Sequence, residues 1–275
     1  TDYEKNSQPD FVIIGDSIVE GMQISNKDLM AERFSKASNG KVAYSIGIAG
    51  SALSQYVHFA EFAEREFDPK AYVFVIISND FDESLCELRP RKGHHCFDEN
   101  MMLKLIPFKG FDFFRSLARR SSFVRYVVLN VEFDEARLNS LYRNITGNYQ
   151  PSEAKISSKV MLRSEQAIHS FLKMVKSIAG TKPVFLMIDG DRPAIYLDSK
   201  SKPHSNYFSS MRSTLMELHS KNLTIDMQEV FSNHFKENRQ KFEFPTDAHW
   251  NELAHDLAAK ELLALNASLV NKSED

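Results

Sequence analysis

A chain of 275 residues, 43% hydrophobic and 26% charged, can bury a large core and has an ordinary globular composition, which excludes collagenous, low-complexity and disordered classes. Lys and Arg total 34 against 37 Asp and Glu, a net charge of −3, so the basic excess expected of a nucleic-acid binder is missing and nucleic acid is not expected as a partner. The longest apolar run, Ala71 to Ile77, falls far short of the roughly 20 residues that span a bilayer.

The first eighty residues alternate between two periodicities. Phe11-Val-Ile-Ile14 is a continuous apolar run closed by Gly15, the pattern of a strand buried on both faces. A helix is expected over about 26–36, with Leu29, Met30 and Phe34 on one face, and a second strand over Val42 to Ile46. Tyr56, Phe59, Ala60 and Ala63 mark a helix over about 53–67, and Ala71 to Ile77 is rich enough in β-branched and aromatic residues for a central strand. Strands joined by helices argue for a parallel sheet covered on both faces.

The middle of the chain is less regular. Residues 82–110 are polar and punctuated, longer than the usual connection. Residues 111–131 carry a helical apolar face with Arg115, Arg119, Arg120 and Arg125 among it, which reads as a solvated helix face packed on the sheet or a cationic amphipathic stretch for a membrane surface or an acidic polymer. Alternation resumes with a helix over 164–178, a strand over Pro183 to Ile188, a helix over 209–220, a strand over Leu223 to Met227 and a last helix over 251–265. The architecture expected is a single α/β domain over 1–275 with about five parallel strands and a helical or loop insertion at about 88–163.

Chemistry gathers where strands end. In an open parallel sheet, ligands bind beyond the carboxyl ends of the strands. Gly15-Asp16-Ser17 follows the first strand, so Ser17 can present its hydroxyl to a substrate and its N–H to a developing oxyanion. Gly50 after the second strand offers an N–H that a ligand can approach closely, and Asn79 after the third offers a side-chain amide. Pro245-Thr-Asp247-Ala-His249-Trp250 precedes the last helix, read as a loop reaching the same edge. There Asp247 would orient the His249 imidazole, which takes the Ser17 proton, and Trp250 would help exclude water.

These four blocks, in this order, resemble the SGNH superfamily of GDSL-type esterases and lipases. The resemblance implies a flavodoxin-like three-layer α/β/α sandwich. It implies Ser17 as nucleophile, Ser17 N–H, Gly50 N–H and Asn79 as oxyanion hole, His249 as base and Asp247 as its partner. Two departures stand out. Ser78 occupies the place of the glycine that usually precedes the asparagine, and the usual Asp-x-x-His block is shortened to Asp247-x-His249-Trp250. The short form looks like the alginate-type polysaccharide O-acetyltransferases, which tilts the expected substrate toward an acylated carbohydrate or other small ester and the setting toward the bacterial periplasm or outside.

The remaining expectations are secondary. Asp189 and Arg192, after the fourth strand, together with Trp250 are candidates for substrate contact, with an internal ion pair as the alternative. Cys86 and Cys96 are either a disulfide, closing a short loop for roughly 2–3 kcal/mol, or two free thiols. With His94 and His95 they fit no common zinc spacing, and no metal or cofactor is expected, since the triad and its donors suffice. Thr1-Asp2-Tyr3 leads to the expectation that a signal peptide or membrane anchor precedes it. Asn144, Asn222, Asn266 and Asn271 begin Asn-x-Ser/Thr triplets, which matter only in a glycosylating host. Nothing in the sequence sets the oligomeric state. The reading is a serine-dependent carbohydrate O-acyl esterase, with an O-acetyltransferase using the same triad as the alternative and a non-catalytic glycan-binding module as the third.

Overall fold

In the computed structural model, residues 3–5, 7–107, 157–197 and 206–272 are described. Strands β1 (Phe11–Gly15), β2 (Ala43–Gly47) and β3 (Tyr72–Ile76) precede a hairpin of β4 (His95–Phe97) and β5 (Leu103–Leu105). Then come β6 (Val184–Ile188), β7 (Thr224–Asp226) and a second hairpin of β8 (Glu243–Phe244) and β9 (Asp247–Trp250). The helices are α1 (Ser17–Glu20), α2 (Met30–Ala37), α3 (Leu53–Phe67), α4 (Ser158–Ala179), α5 (Arg192–Tyr196), α6 (Asn206–Leu218), α7 (Met227–Asn238) and α8 (Glu252–Lys272).

Five strands form one sheet in the order β2-β1-β3-β6-β7, every neighbouring pair parallel, as the alternating pattern implied. Each of β1, β3 and β6 is buried along its whole length, which is why these segments read as unbroken apolar runs. Alternate residues serve opposite layers. Phe11, Ile13, Val73, Val75, Phe185 and Met187 share a core with Met30, Phe34, Phe231, Trp250, Ala258 and Leu262 from α2, α7, β9 and α8. On the other face Phe74 meets Phe171 of α4 edge to face, and α4 packs between α3 and α6. The result is the flavodoxin-like sandwich, in which the strand order reverses direction between β1 and β3 and leaves a crevice at their carboxyl ends.

Several boundaries differ from expectation. Residues 82–107 hold the β4–β5 hairpin and a Cys86–Cys96 disulfide, so this stretch is tied down rather than an open loop. Helix α4 begins six residues before the expected start. Helix α7 was not foreseen, although Met227, Phe231 and Phe235 recur every four residues after an Asp226 N-cap. The Asp247–Trp250 block is a strand, not a loop. Backbone contacts group residues 1–106 and 158–275 as one unit and 107–157 as another. The expected helix over 111–131 and most of the insertion at 88–163 lie outside the described residues, as does Asn144. Among the described residues, no helix is long and apolar enough to cross a membrane.

Candidate active site

Ser17 is presented by a turn with little freedom. β1 ends at Gly15, where a Cβ would run into Val19, and Asp16 then caps α1 through a hydrogen bond from Ile18 N–H to its carboxylate at 2.9 Å. Ser17 is the first helical residue, half-buried, and its hydroxyl donates to the other Asp16 oxygen at 3.1 Å. Burial pushes the Asp16 carboxyl above the usual carboxylate range, opposed by the Ile18 N–H, the Ser17 hydroxyl and the His249 charge. α1, which opens with Ser17, and β9, which carries His249, are in contact.

The end of β2 crosses the same turn. A Cβ at Gly47 would lie 2.8 Å from Asp16 O and 2.8 Å from the Val19 carbonyl carbon, both backbone atoms that cannot give way. Only glycine lets β2 and α1 approach so closely. Beyond it Ala49 N–H donates to the Glu20 carboxylate at 2.8 Å, which fixes the loop leading to Gly50. Gly50 adopts φ 72°, and its N–H has no backbone acceptor among the described residues. Asn79 follows β3, half-buried; its carbonyl accepts from Glu83 N–H at 3.2 Å, while no described group holds its amide. Three carboxyl ends, β1, β2 and β3, thus bring Ser17, Gly50 and Asn79 to one edge of the sheet.

β9 carries the second half of the site. The β8–β9 register is irregular between Asp247 and Trp250, and Asp247 and His249 lie side by side because the aspartate side chain folds back onto the histidine. One Asp247 oxygen accepts both the His249 N–H, at 2.9 Å, and a bond from His249 Nδ1. With Gln23 also donating, these bonds hold the Asp247 carboxyl below its ordinary pKa, the His249 N–H contributing most. Nδ1 is thereby occupied and the imidazole fixed, which leaves Nε2 as the nitrogen available to a substrate or to Ser17.

Trp250, on the opposite face of β9, is turned inward. It is 1% exposed, and its Nε1–H donates to Asp189 at 3.1 Å. The other Asp189 oxygen takes Arg192 at 3.2 Å, and Arg192 Nη1 donates to Ala248 O at 2.7 Å. Burial opposes the Arg192 charge, but the carboxylates of Asp189 and Glu243 outweigh it and raise its pKa. The structure thus places Asp189, Arg192 and Trp250 behind β9, bonded to one another, where they hold the Asp247–His249 strand. The sequence had offered them for substrate contact.

Another buried group next to Asp16 carried no sequence signal. Asp80 is fully buried, accepts from the Tyr56 hydroxyl at 2.9 Å and from Ile77 N–H at 2.8 Å, and burial together with the Asp16 charge pushes its carboxyl well above the ordinary range. Cys86 and Cys96 are bonded to each other and so are not available as metal ligands.

Residues 11–100 match the family described as GDSL-like lipase/acylhydrolase, a stretch that includes Ser17, Gly50 and Asn79 and stops before β9. Among solved structures, a lipase from a goat rumen metagenome is 13% identical, covering 93% of this chain and 96% of its own, with a TM-score of 0.47. A putative acylhydrolase from Bacteroides fragilis is 16% identical, with 98% and 91% covered and a TM-score of 0.47. An acetyl xylan esterase from the rumen bacterium Butyrivibrio proteoclasticus is 12% identical, with 98% and 65% covered and a TM-score of 0.45. No curated protein matches the chain significantly.

Proposed function

We propose that the chain is a serine-dependent carbohydrate O-acyl esterase, a reading supported by the match of residues 11–100 to the family of GDSL-like lipases and acylhydrolases. Ser17 Oγ attacks the acyl carbonyl while His249 Nε2 takes its proton. The oxyanion that forms is met by the N–H groups of Ser17 and Gly50 and by the Asn79 amide; one such donor is worth roughly 2.7–4 kcal/mol. Collapse expels the sugar alcohol, which receives the proton from His249, and leaves an acyl group on Ser17. Water then attacks with His249 again as base and releases the acid. Asp247 holds the imidazole and stabilises its cation. Before attack the Ser17 hydroxyl must turn from Asp16 toward His249.

The observation that carries this reading is the contact between α1, opened by Ser17, and β9, which bears an Asp247–His249 pair already hydrogen-bonded. A carbohydrate ester fits a site at an open sheet edge, and the acetyl xylan esterase among the neighbours acts on such an ester. Transfer of the acyl group to a sugar hydroxyl is the second reading, favoured by the two-residue spacing of Asp247 and His249. The disulfide supports an oxidising compartment, the periplasm or the exterior. We read the chain as one such domain interrupted by the insertion at about 88–163.

Wild type should release acetate from acetylated xylan oligosaccharides and take up a serine-directed phosphonate on Ser17, and Ser17→Ala should do neither. Equal turnover by Ser17→Ala would refute the nucleophile. Label transfer to an added glycan in place of free acetate would convert the hydrolase into a transferase.

A further inference from the structure

Gly50 is covered on its outer side. A Cβ there would collide with the Arg91 guanidinium, whose Nη1 donates to Ala49 O at 3.1 Å. An arginine therefore lies on the very backbone that supplies an oxyanion donor. Beside it is a small cleft of about 10 Å³, lined by Gly50, Glu83, Arg89, Arg91, His94 and His95. The charges in this cleft are not balanced. Glu83 is spent on Arg89, whereas Arg91 has no carboxylate partner among the described residues. A guanidinium carries five N–H donors, and the Ala49 carbonyl uses one.

The segment that carries Arg91 is held in place from both ends. The Cys86–Cys96 disulfide closes it. His94 N–H donates to Arg91 O at 3.1 Å and Gly93 N–H to Ile106 O at 2.7 Å. Helix α3 grips its far end through Ser54 Oγ to His95 O and His95 N–H to Gln55 Oε1, both 2.8 Å. A cation on a braced loop loses little freedom on meeting an anion, and a guanidinium suits the two oxygens of a carboxylate.

We propose that Arg91 is a specificity residue that binds a carboxylate of the substrate next to the reacting carbonyl, so that acidic esters are taken in preference to neutral ones. For turnover this rests on the Ser17–His249 reading above; for binding it does not. The carboxylate can sit on the acyl part or on the alcohol part, and two substrate pairs separate these sources. One pair is 4-nitrophenyl hemisuccinate against 4-nitrophenyl acetate; the other is O-acetylated methyl galacturonoside against O-acetylated methyl galactoside.

In wild type the kcat/KM ratio of acidic to neutral ester should be high in one pair, and Arg91→Gln should lower it about tenfold. Lys92→Gln removes the same charge from the adjacent exposed residue and should leave the ratio unchanged. A ratio untouched by Arg91→Gln in both pairs would overturn the proposal, and so would an equal fall in Lys92→Gln, which would mean a general field. Calorimetric titration with succinate and methyl galacturonoside covers the case of no ester turnover. Binding by wild type that Arg91→Gln loses would keep the subsite while the hydrolase reading falls; no binding there would sink the subsite as well.

Discussion

His255 should make the fold sensitive to mild acid. It lies in α8 at 1% exposure, with the Trp250 ring edge-on at 5.8 Å between centroids. Its Nδ1 accepts from Met30 N–H at 3.4 Å, so Nε2 carries the proton, and no partner meets it there. Burial lowers its pKa from 6.5 to about 4, the nearby Arg33 cation adding to the effect and Asp28 opposing it. In the unfolded chain the ring protonates below its ordinary value, so between pH 6.5 and 4 the unfolded state binds more protons. The contribution is fully present above that window and is lost as pH falls through it, about 3 kcal/mol in all and about 2 kcal/mol between pH 7 and pH 5. Guanidinium melts of wild type and His255→Asn at both pH values measure it, since the asparagine oxygen can replace Nδ1 as acceptor for Met30. The variant should start less stable at pH 7 but lose about 2 kcal/mol less on going to pH 5. Buried Asp16 and Asp80, with raised pKa values, push the other way in both proteins and cancel in the comparison. An unchanged loss in His255→Asn would refute the assignment.

Asp247→Asn removes the charge that steadies the His249 cation, and a charge-assisted bond of about 1.5–3 kcal/mol corresponds to a fall in kcat/KM of roughly ten- to a hundredfold. The pair is about a third exposed, so the melting temperature should hardly move, and unchanged turnover would mean that another group orients the imidazole. Gly47→Ala places a methyl group against the backbone of Asp16 and Val19, which should cost about 1–3 kcal/mol in a denaturant melt and lower kcat by displacing α1. Wild-type stability and rate in that variant would show that β2 and α1 have room to part.

The parallel sheet was legible because strands buried on both faces must be continuous apolar runs, as Phe11–Ile14 and Val184–Ile188 are. Ser17 and Asn79 were singled out because each follows a run of this kind, and Gly50 because it follows the half-buried β2. Helix α7 was less so: Ser232, Asn233 and His234 dilute its pattern, and the Met227–Phe231–Phe235 stripe shows only once Asp226 is read as a cap. Arg91 was hidden altogether, since what sets it apart is the glycine beneath it, forty-odd positions away in the chain.

The short Asp-x-His spacing contained more than it yielded. One Asp247 oxygen accepts from both the backbone N–H and the Nδ1 of His249, a local turn that an aspartate two residues ahead can close, and it sits where the β8–β9 register is irregular. The next residue closes the irregular segment and points inward. In β9 that residue is Trp250, anchored to Asp189 inside the core, and the inward Asp189–Arg192 pair is what holds Ala248 between the two functional side chains. The unexpected strand and the burial of Asp189 and Trp250 meet in this one segment, while Arg192 stays partly exposed.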